Sequence, residues 1–344
     1  MKIVKGVLVV FVMILMLYYF DVSKHRSISL PQTSQDQRVK PLLAYTFEAL
    51  QKTTFPERKM FLDRPYSETA SSTSQLFFFE TPKRHGSTEM DKVSGRMNIP
   101  KKPGKYPIII MLRGFVPDAI YSPGVGTQHV AETLAQNGYI TLAPDFLGFG
   151  ESSPTSKDSF EARFQTYTTA LSLLSSLSNV NEGLQASYSG SIIADTTKVG
   201  IWGHSNGGHI ALSVLAISGK KYPTVLWAPV SKSFPYSILY YSDDAEDQGK
   251  ALRSALAHFE LDYNTDMFST QNYYSWIRAP ISLLQGTQDE AVPEKWSQDL
   301  ESQLKKSNVD VAYHAYPGDH NMVPVWNKAV DDSVAFFNEH FTSK

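Results

Sequence analysis

The chain has 344 residues, of which 42% are hydrophobic and 19% charged, with a net charge of −2. That is enough apolar material for one large packed domain, and the charge balance argues against nucleic acid or an acidic membrane surface as a partner. There is no cysteine, which excludes disulfides, thiolate catalysis and cysteine-based metal sites but leaves the compartment open.

In chain order, the first feature is Lys2 and Lys5 followed by an uninterrupted apolar run over residues 6–20. This is the charged and apolar pattern of an export signal. No Ala-x-Ala site follows, and the nearest small-x-small pair is Ser27 and Ser29. A helix of this length reaches about 22 Å, short of a ~30 Å bilayer core, although Ile3, Val4 and snorkelling lysines extend it. The preferred reading is a signal anchor over residues 1–26 that holds the rest of the chain outside the cytoplasm. The alternative is a cleaved signal peptide and secretion. Residues 27–57 are polar and carry Pro31, Pro41 and Pro56. They read as a stalk, with a helix over residues 36–53 whose apolar stripe is Leu42, Leu43, Phe47 and Leu50.

The main domain is expected over residues 58–344. Strands at 59–63, 75–80 and 93–98, separated by polar turns, suggest an antiparallel start to a sheet. From residue 106 strands alternate with helices. Strands fall at 106–112, 139–143, 199–203, 224–227, 281–284 and 309–314. Helices fall at 128–137, 160–177, 208–216, 294–306 and 325–341, and Gly138 is a suitable cap for the first. Apolar strands separated by helices predict an α/β fold, a mostly parallel sheet of eight strands with helices on both faces. Residues 231–278 interrupt the alternation with aromatic and acidic residues. They predict a mostly helical cap over the C-terminal edge of the sheet, where open α/β sheets bind ligands.

Val199 to Gly203 is a strand pattern that ends in Gly203-His204-Ser205-Asn206-Gly207, and a helical pattern follows at once. A serine in so sharp a strand-to-helix turn is held in strain with its hydroxyl exposed, and glycines are needed where a Cβ would crowd strand and helix. A hydroxyl needs a general base, and that base needs a third group to orient it. Asp289, after the strand at 281–284, and His320, after the last strand, both come to the same sheet edge. The order Ser205, Asp289, His320 suits this class of site.

Other readings stand beside these. Asp289 could be a helix N-terminal acid, Glu290 competes with it, and His320 could be an exposed loop residue. Asp319 is expected to order its loop. His204 is expected to be structural, its side chain turned from the pocket, and His209 to belong to the core. No metal-ligand spacing involves these residues. Oxyanion donors are expected from the N–H groups of Asn206 and Phe115, with Gly114 permitting close approach, although Phe115 could be a mere turn residue. Arg113 is a candidate for a substrate carboxylate, against a solvated or supporting role. Tyr240 and Tyr241 of the cap are candidate substrate contacts. Asp145 to Ser152 contains Gly-x-Gly but lacks the third glycine and following helix of a dinucleotide site, so its glycines are expected to shape a loop at the pocket floor.

Together these features resemble the α/β-hydrolase fold. In detail they resemble the prolyl-oligopeptidase-like (S9) and dienelactone-hydrolase-like branch. The matching residues are Arg113-Gly114-Phe115, Asp145 to Ser152, Gly203 to Gly208, Asp289 and His320, and the resemblance covers about residues 106–341. It implies a serine hydrolase that needs no cofactor and cleaves a small ester or an amide. Two departures limit it. Arg113-Gly114-Phe115 stands where His-Gly-Gly is usual, and too few residues precede Tyr106 for a β-propeller. Carboxylesterase activity is therefore the first expectation. A peptidase on short peptides, with Asp243 or Glu246 binding a free amino terminus, is the second. A non-catalytic binding protein on the same scaffold is the third. Oligomeric state is not legible.

Overall fold

The computed structural model describes residues 40–342. The apolar run at 6–20 and the first residues of the helix expected from 36 lie outside them. The strands are β1 (Phe61–Glu68), β2 (Ser72–Pro82), β3 (Met90–Pro100), β4 (Gly104–Leu112), β5 (Ile140–Pro144), β6 (Ile192–His204), β7 (Thr224–Trp227), β8 (Ile281–Gly286) and β9 (Val311–Tyr316). They form one sheet in the order β1-β2-β3-β5-β4-β6-β7-β8-β9. The pairings β1–β2, β2–β3 and β3–β5 are antiparallel, and all pairings from β5–β4 to β8–β9 are parallel. The sheet has nine strands, one for each strand segment read in the sequence, where a sheet of eight was expected. The edge strand β1 runs to Glu68, past the 59–63 expected; it is exposed along most of its length and broken by register shifts, so pairing with β2 sets its extent.

The helices are α1 (Phe47–Gln51), α2 (Gln128–Gln136), α3 (Ser159–Ser176), α4 (Val180–Tyr188), α5 (Asn206–Ser218), α6 (Tyr236–Leu239), α7 (Lys250–Asp262), α8 (Glu294–Lys306) and α9 (Trp326–Thr342). The central strand β4 shows why both faces must be covered. Ile108, Ile110 and Leu112 point into one core, Ile109 and Met111 into another, and all five are buried. The first core takes in α1, α3, α4 and α5, and the second takes in α2 and α9. Local chemistry sets the helix ends. Asp158 accepts the N–H groups of Phe160 and Glu161 at 2.9 and 3.0 Å, which starts α3. Gly138, at φ +87°, takes the chain out of α2. The sequence did not announce α4, which is short and contains Gly183; a Cβ there would lie 2.7 Å from Leu62 of β1.

The continuous helix expected over 36–53 is instead a 3-10 turn at Pro41–Tyr45 followed by α1. Thr46 breaks it, because its hydroxyl accepts the Ala49 N–H at 3.3 Å as an N-cap. Leu42, Phe47 and Leu50 are buried, whereas Leu43 is exposed. From Leu42 onward the end of the expected stalk belongs to the domain core. Phe47 stacks on Tyr273 with centroids 4.7 Å apart, and the Leu42 N–H donates to the Tyr263 hydroxyl at 3.4 Å.

Both of those partners belong to the insertion at 231–278. It consists of α6, α7 and 3-10 turns at Ser242–Asp244, Thr265–Phe268 and Thr270–Trp276. Phe234, Phe259 and Phe268 are buried against Phe160 and Phe164 of α3, so this cap continues the main core.

Candidate active site

Strand β6 delivers the chain to Ser205, and α5 begins at the next residue. Ser205 has φ +55° and ψ −121°, a conformation that a residue with a Cβ occupies only under constraint. The constraint is visible. The Ser205 N–H donates to the Trp227 carbonyl at 2.9 Å, and its own carbonyl accepts from Gly208 and Val230, each at 3.0 Å. A Cβ on Gly207 would lie 1.9 Å from the Leu112 carbonyl oxygen, and one on Gly203 would lie 2.7 Å from the Gly207 oxygen. Both positions therefore require glycine.

The segment after β4 passes directly beside the serine. A Cβ on Gly114 would stand 3.0 Å from Ser205 Cβ and 3.5 Å from its Oγ. Asn206 opens α5, where the first N–H groups have no partner within the helix, and among the described residues no turn or loop carbonyl accepts from Asn206 or Phe115. The Phe115 side chain is 81% exposed at the rim.

Arg113 is not available to a substrate carboxylate. It is buried, with its guanidinium over the rings of Phe149 and Tyr121 at 4.2 and 4.8 Å. It donates to the Gly114 carbonyl at 3.0 Å and to the Asp145 carbonyl at 3.2 Å. The apolar rings of the 145–152 loop and of Tyr121 give this charge a place inside the protein. Asp145 is also buried and accepts from the hydroxyls of Ser94 at 2.6 Å and Tyr121 at 2.7 Å. Burial pushes its carboxyl above the usual range, against the pull of those hydrogen bonds. A Cβ on Gly150 would meet the Asp145 carboxylate at 2.3 Å, so the glycine shapes this loop as expected.

Two adjacent loops carry the acid and the base. Gln288 N–H donates to the Gly318 carbonyl at 2.9 Å, which ties the loop after β8 to the loop after β9. A Cβ on Gly286 would lie 2.3 Å from the Asp319 oxygen, so the two backbones are in contact. His320 Nδ1 stands 2.8 Å from Asp289 Oδ2. The other Asp289 oxygen accepts the N–H groups of Ala291 and Val292 at 2.9 and 2.8 Å. Burial opposes the Asp289 charge, but His320, Val292 and Gln285 prevail and hold its carboxyl below the ordinary value. A carboxylate facing Nδ1 fixes the proton there and leaves Nε2 as the basic nitrogen. Glu290 is exposed and takes no part in this contact. Asp319 accepts from Asn321 and Val323 at 2.8 and 2.9 Å and so orders the histidine loop.

His204 props the base from below. Its Nε2–H donates to the His320 carbonyl at 2.9 Å, and the two rings are 4.6 Å apart. Burial, aided by the nearby His320, lowers its pKa to about 4, so it is a neutral support. His209 lies in the core, with its ring nitrogens near the Tyr167 hydroxyl at 2.9 Å and the Val230 carbonyl at 3.1 Å. Among the described residues no hydrogen bond joins Ser205 Oγ to the His320 ring. The acid–base pair is formed, and Ser205 directly follows His204, whose ring lies 4.6 Å from that of His320.

The Tyr241 hydroxyl donates to the Ala291 carbonyl at 3.1 Å and so steadies the Asp289 loop. Tyr240 packs edge-on against Trp296 at 4.7 Å and is partly exposed. Sequence reasoning missed Gln285. Its amide donates to Asp289 Oδ2 at 2.9 Å and to the Val292 carbonyl at 3.1 Å, and its own oxygen accepts from Ser297 at 2.7 Å. The available signal was a polar residue at the end of an apolar strand, four positions before the acid.

The description of the dienelactone hydrolase family matches residues 93–323. No curated protein matches the chain. Among solved structures, acetyl xylan esterase 1 from Thermoanaerobacterium sp. is similar at TM-score 0.57 and 16% identity, covering 88% of this chain and 94% of that one. An acetyl xylan esterase from Paenibacillus sp. R4 gives TM-score 0.53 and 16% identity, covering 84% and 91%. A puromycin-hydrolysing peptidase from Mycobacterium tuberculosis gives TM-score 0.54 and 16% identity; 82% of this chain aligns, with 40% of that longer chain. These likenesses carry the fold, the α/β-hydrolase fold, with the elbow and both loops at its carboxyl edge. The family match covers well over half of the sequence, and the chain belongs to the dienelactone hydrolase family, an enzyme of the serine hydrolase class.

Proposed function

We propose that the protein cleaves a carboxylic ester through Ser205, His320 and Asp289. Ser205 Oγ attacks the carbonyl carbon as His320 Nε2 takes its proton. Asp289 holds the imidazole tautomer and supports the imidazolium. The N–H groups of Asn206 and Phe115 receive the oxyanion. The alcohol leaves with the proton from His320, and water activated by the same ring then releases the acyl group. The serine–histidine hydrogen bond forms in the substrate complex, since such bonds are often open in a free enzyme.

The observation that carries this reading is the 2.8 Å contact between His320 and a buried, multiply bonded Asp289, together with a serine held at φ +55° in the strand-to-helix turn. Labelling by a fluorophosphonate probe tests it. The expected result is covalent modification that Ser205→Ala abolishes; an unlabelled, folded protein would favour a non-catalytic scaffold. Fold neighbours include both esterases and a peptidase. The ester is preferred because amide cleavage demands stronger leaving-group protonation. Of the two acids considered for a peptide amino terminus, Asp243 already pairs with Arg253 at 3.2 Å. Faster turnover of an aminoacyl anilide than of a p-nitrophenyl ester would reverse the order.

A further inference from the structure

The side chain of Gln285 lies one residue before the end of β8, is fully buried, and turns its whole amide to the acid loop. Its Nε2 donates to Asp289 Oδ2 at 2.9 Å and reaches the Gly286 and Val292 carbonyls at 3.0 and 3.1 Å. Residues 286–292 thus wrap around one NH2 group. The side-chain oxygen accepts from the hydroxyl of Ser297 in α8, also fully buried, at 2.7 Å.

These partners decide which way the amide faces. Turned over, Oε1 would meet three acceptor oxygens, and a buried acceptor set against acceptors is costly. Asp289 is then engaged on both oxygens. Oδ1 accepts from Ala291 and Val292, and Oδ2 accepts from Gln285 and faces His320 Nδ1. Three of these four contacts come from the strand and the acid's own loop, so the carboxylate is oriented independently of the histidine.

An amide suits this place better than a charged donor. An ammonium here would hold the acid but cancel the negative charge that supports the imidazolium; an amide donates without a charge. A donor on Oδ2 also stabilises the ionised carboxylate and makes it less basic, so it holds a charged ring less tightly. The other titratable groups around the pair are neutral, engaged or exposed. Burial keeps His204 neutral and the Tyr241 hydroxyl protonated. Asp319 accepts from its own loop, and Glu290 and His314 are exposed. On α8, Glu294 accepts from Tyr313, and Asp299 pairs with Lys295 and Lys232.

Resting on the proposed ester cleavage, we infer that Gln285 is the positioning residue of the acid: locked by Ser297, it aims Asp289 Oδ2 at His320 and keeps the ring from holding its proton too tightly to serve as a base.

The test is the pH dependence of p-nitrophenyl ester turnover by the full chain. Gln285→Met keeps the bulk and removes the donors. It is expected to lower kcat roughly tenfold with KM unchanged, and to move the acid limb of kcat/KM to higher pH. Ser297→Ala, which leaves the amide but unlocks it, is expected to do the same more weakly, and the double variant to be no slower than Gln285→Met. Thermal unfolding checks that each variant is folded; if Gln285→Met is not, the limb of Ser297→Ala decides alone. Wild-type kcat with an unmoved acid limb, or losses that multiply in the double variant, would overturn the assignment. Fluorophosphonate labelling separates this role from the reaction itself. Wild-type protein that takes no label at Ser205 defeats the ester reading, whereas Gln285→Met labelled at the wild-type rate defeats only the positioning role.

Discussion

The guanidinium of Arg113 is enclosed by rings, and both of its hydrogen bonds go to main-chain oxygens. One of these belongs to the Gly114–Phe115 peptide. In a trans peptide the carbonyl and the following N–H point in opposite directions. Holding the Gly114 oxygen on the Arg113 side therefore turns the Phe115 N–H away from Arg113, as its proposed oxyanion role requires. Arg113→Met, which keeps the stem and removes the donors, is expected to lower kcat roughly tenfold to a hundredfold with little change in KM, because the lost alignment matters in the transition state. Steady-state kinetics on one p-nitrophenyl ester would check this, and a pure KM effect would refute it. The sequence could place Arg113 beside the site but not say which way it faced. That depended on Tyr121, Phe146 and Phe149 closing around it, which no local pattern encodes. The positions of Ser205, Asp289 and His320 were easier to place, because each follows the carboxyl end of a parallel strand.

His209 belongs to the same scale. Burial, with the nearby Arg163 charge, lowers its pKa to about 3. The unfolded chain binds a proton at this position near pH 6.5 and the folded chain does not, so stability is lost as pH falls below about 6.5 toward 3. His209→Gln is expected to flatten the fall in Tm across that acid range. An unchanged slope would show that other groups set it.

At the scale of elements, the parallel half of the sheet was readable because most of its strands carry a buried apolar run and helices follow between them. The ends were less so. The edge strand β1 faces solvent, and α4 is a short polar helix whose packing rests on a glycine. The segment before residue 52 carried a helical stripe, but Thr46 caps a new helix inside it, and its apolar residues meet a partner only in the far cap. Phe47 is fully buried there. Phe47→Ala is expected to cost about 3–5 kcal/mol in denaturant unfolding, a core-sized effect that a stalk residue would not show.

For the molecule as a whole, the described helices include none long and apolar enough to cross a membrane. The apolar run at 6–20 lies outside them, and its pattern supports the proposal that residues 1–26 tether or export the enzyme. Full-length protein is then expected in the membrane fraction, and protein lacking residues 1–26 in the soluble one. Recovery of both in the same fraction would remove the tether. The family was legible from the elbow and the two loops.

The contact between Leu42 and Tyr263 spans 221 residues. During synthesis, Phe47 and Leu50 emerge from the ribosome long before the aromatic partners that will cover them. That stretch must wait, greasy and uncovered, for most of the polypeptide to appear, an interval in which a chaperone or a neighbouring nascent chain can compete for it. Slow seating of the amino-terminal segment would then set the pace of maturation, even though the catalytic edge is built from residues elsewhere in the chain.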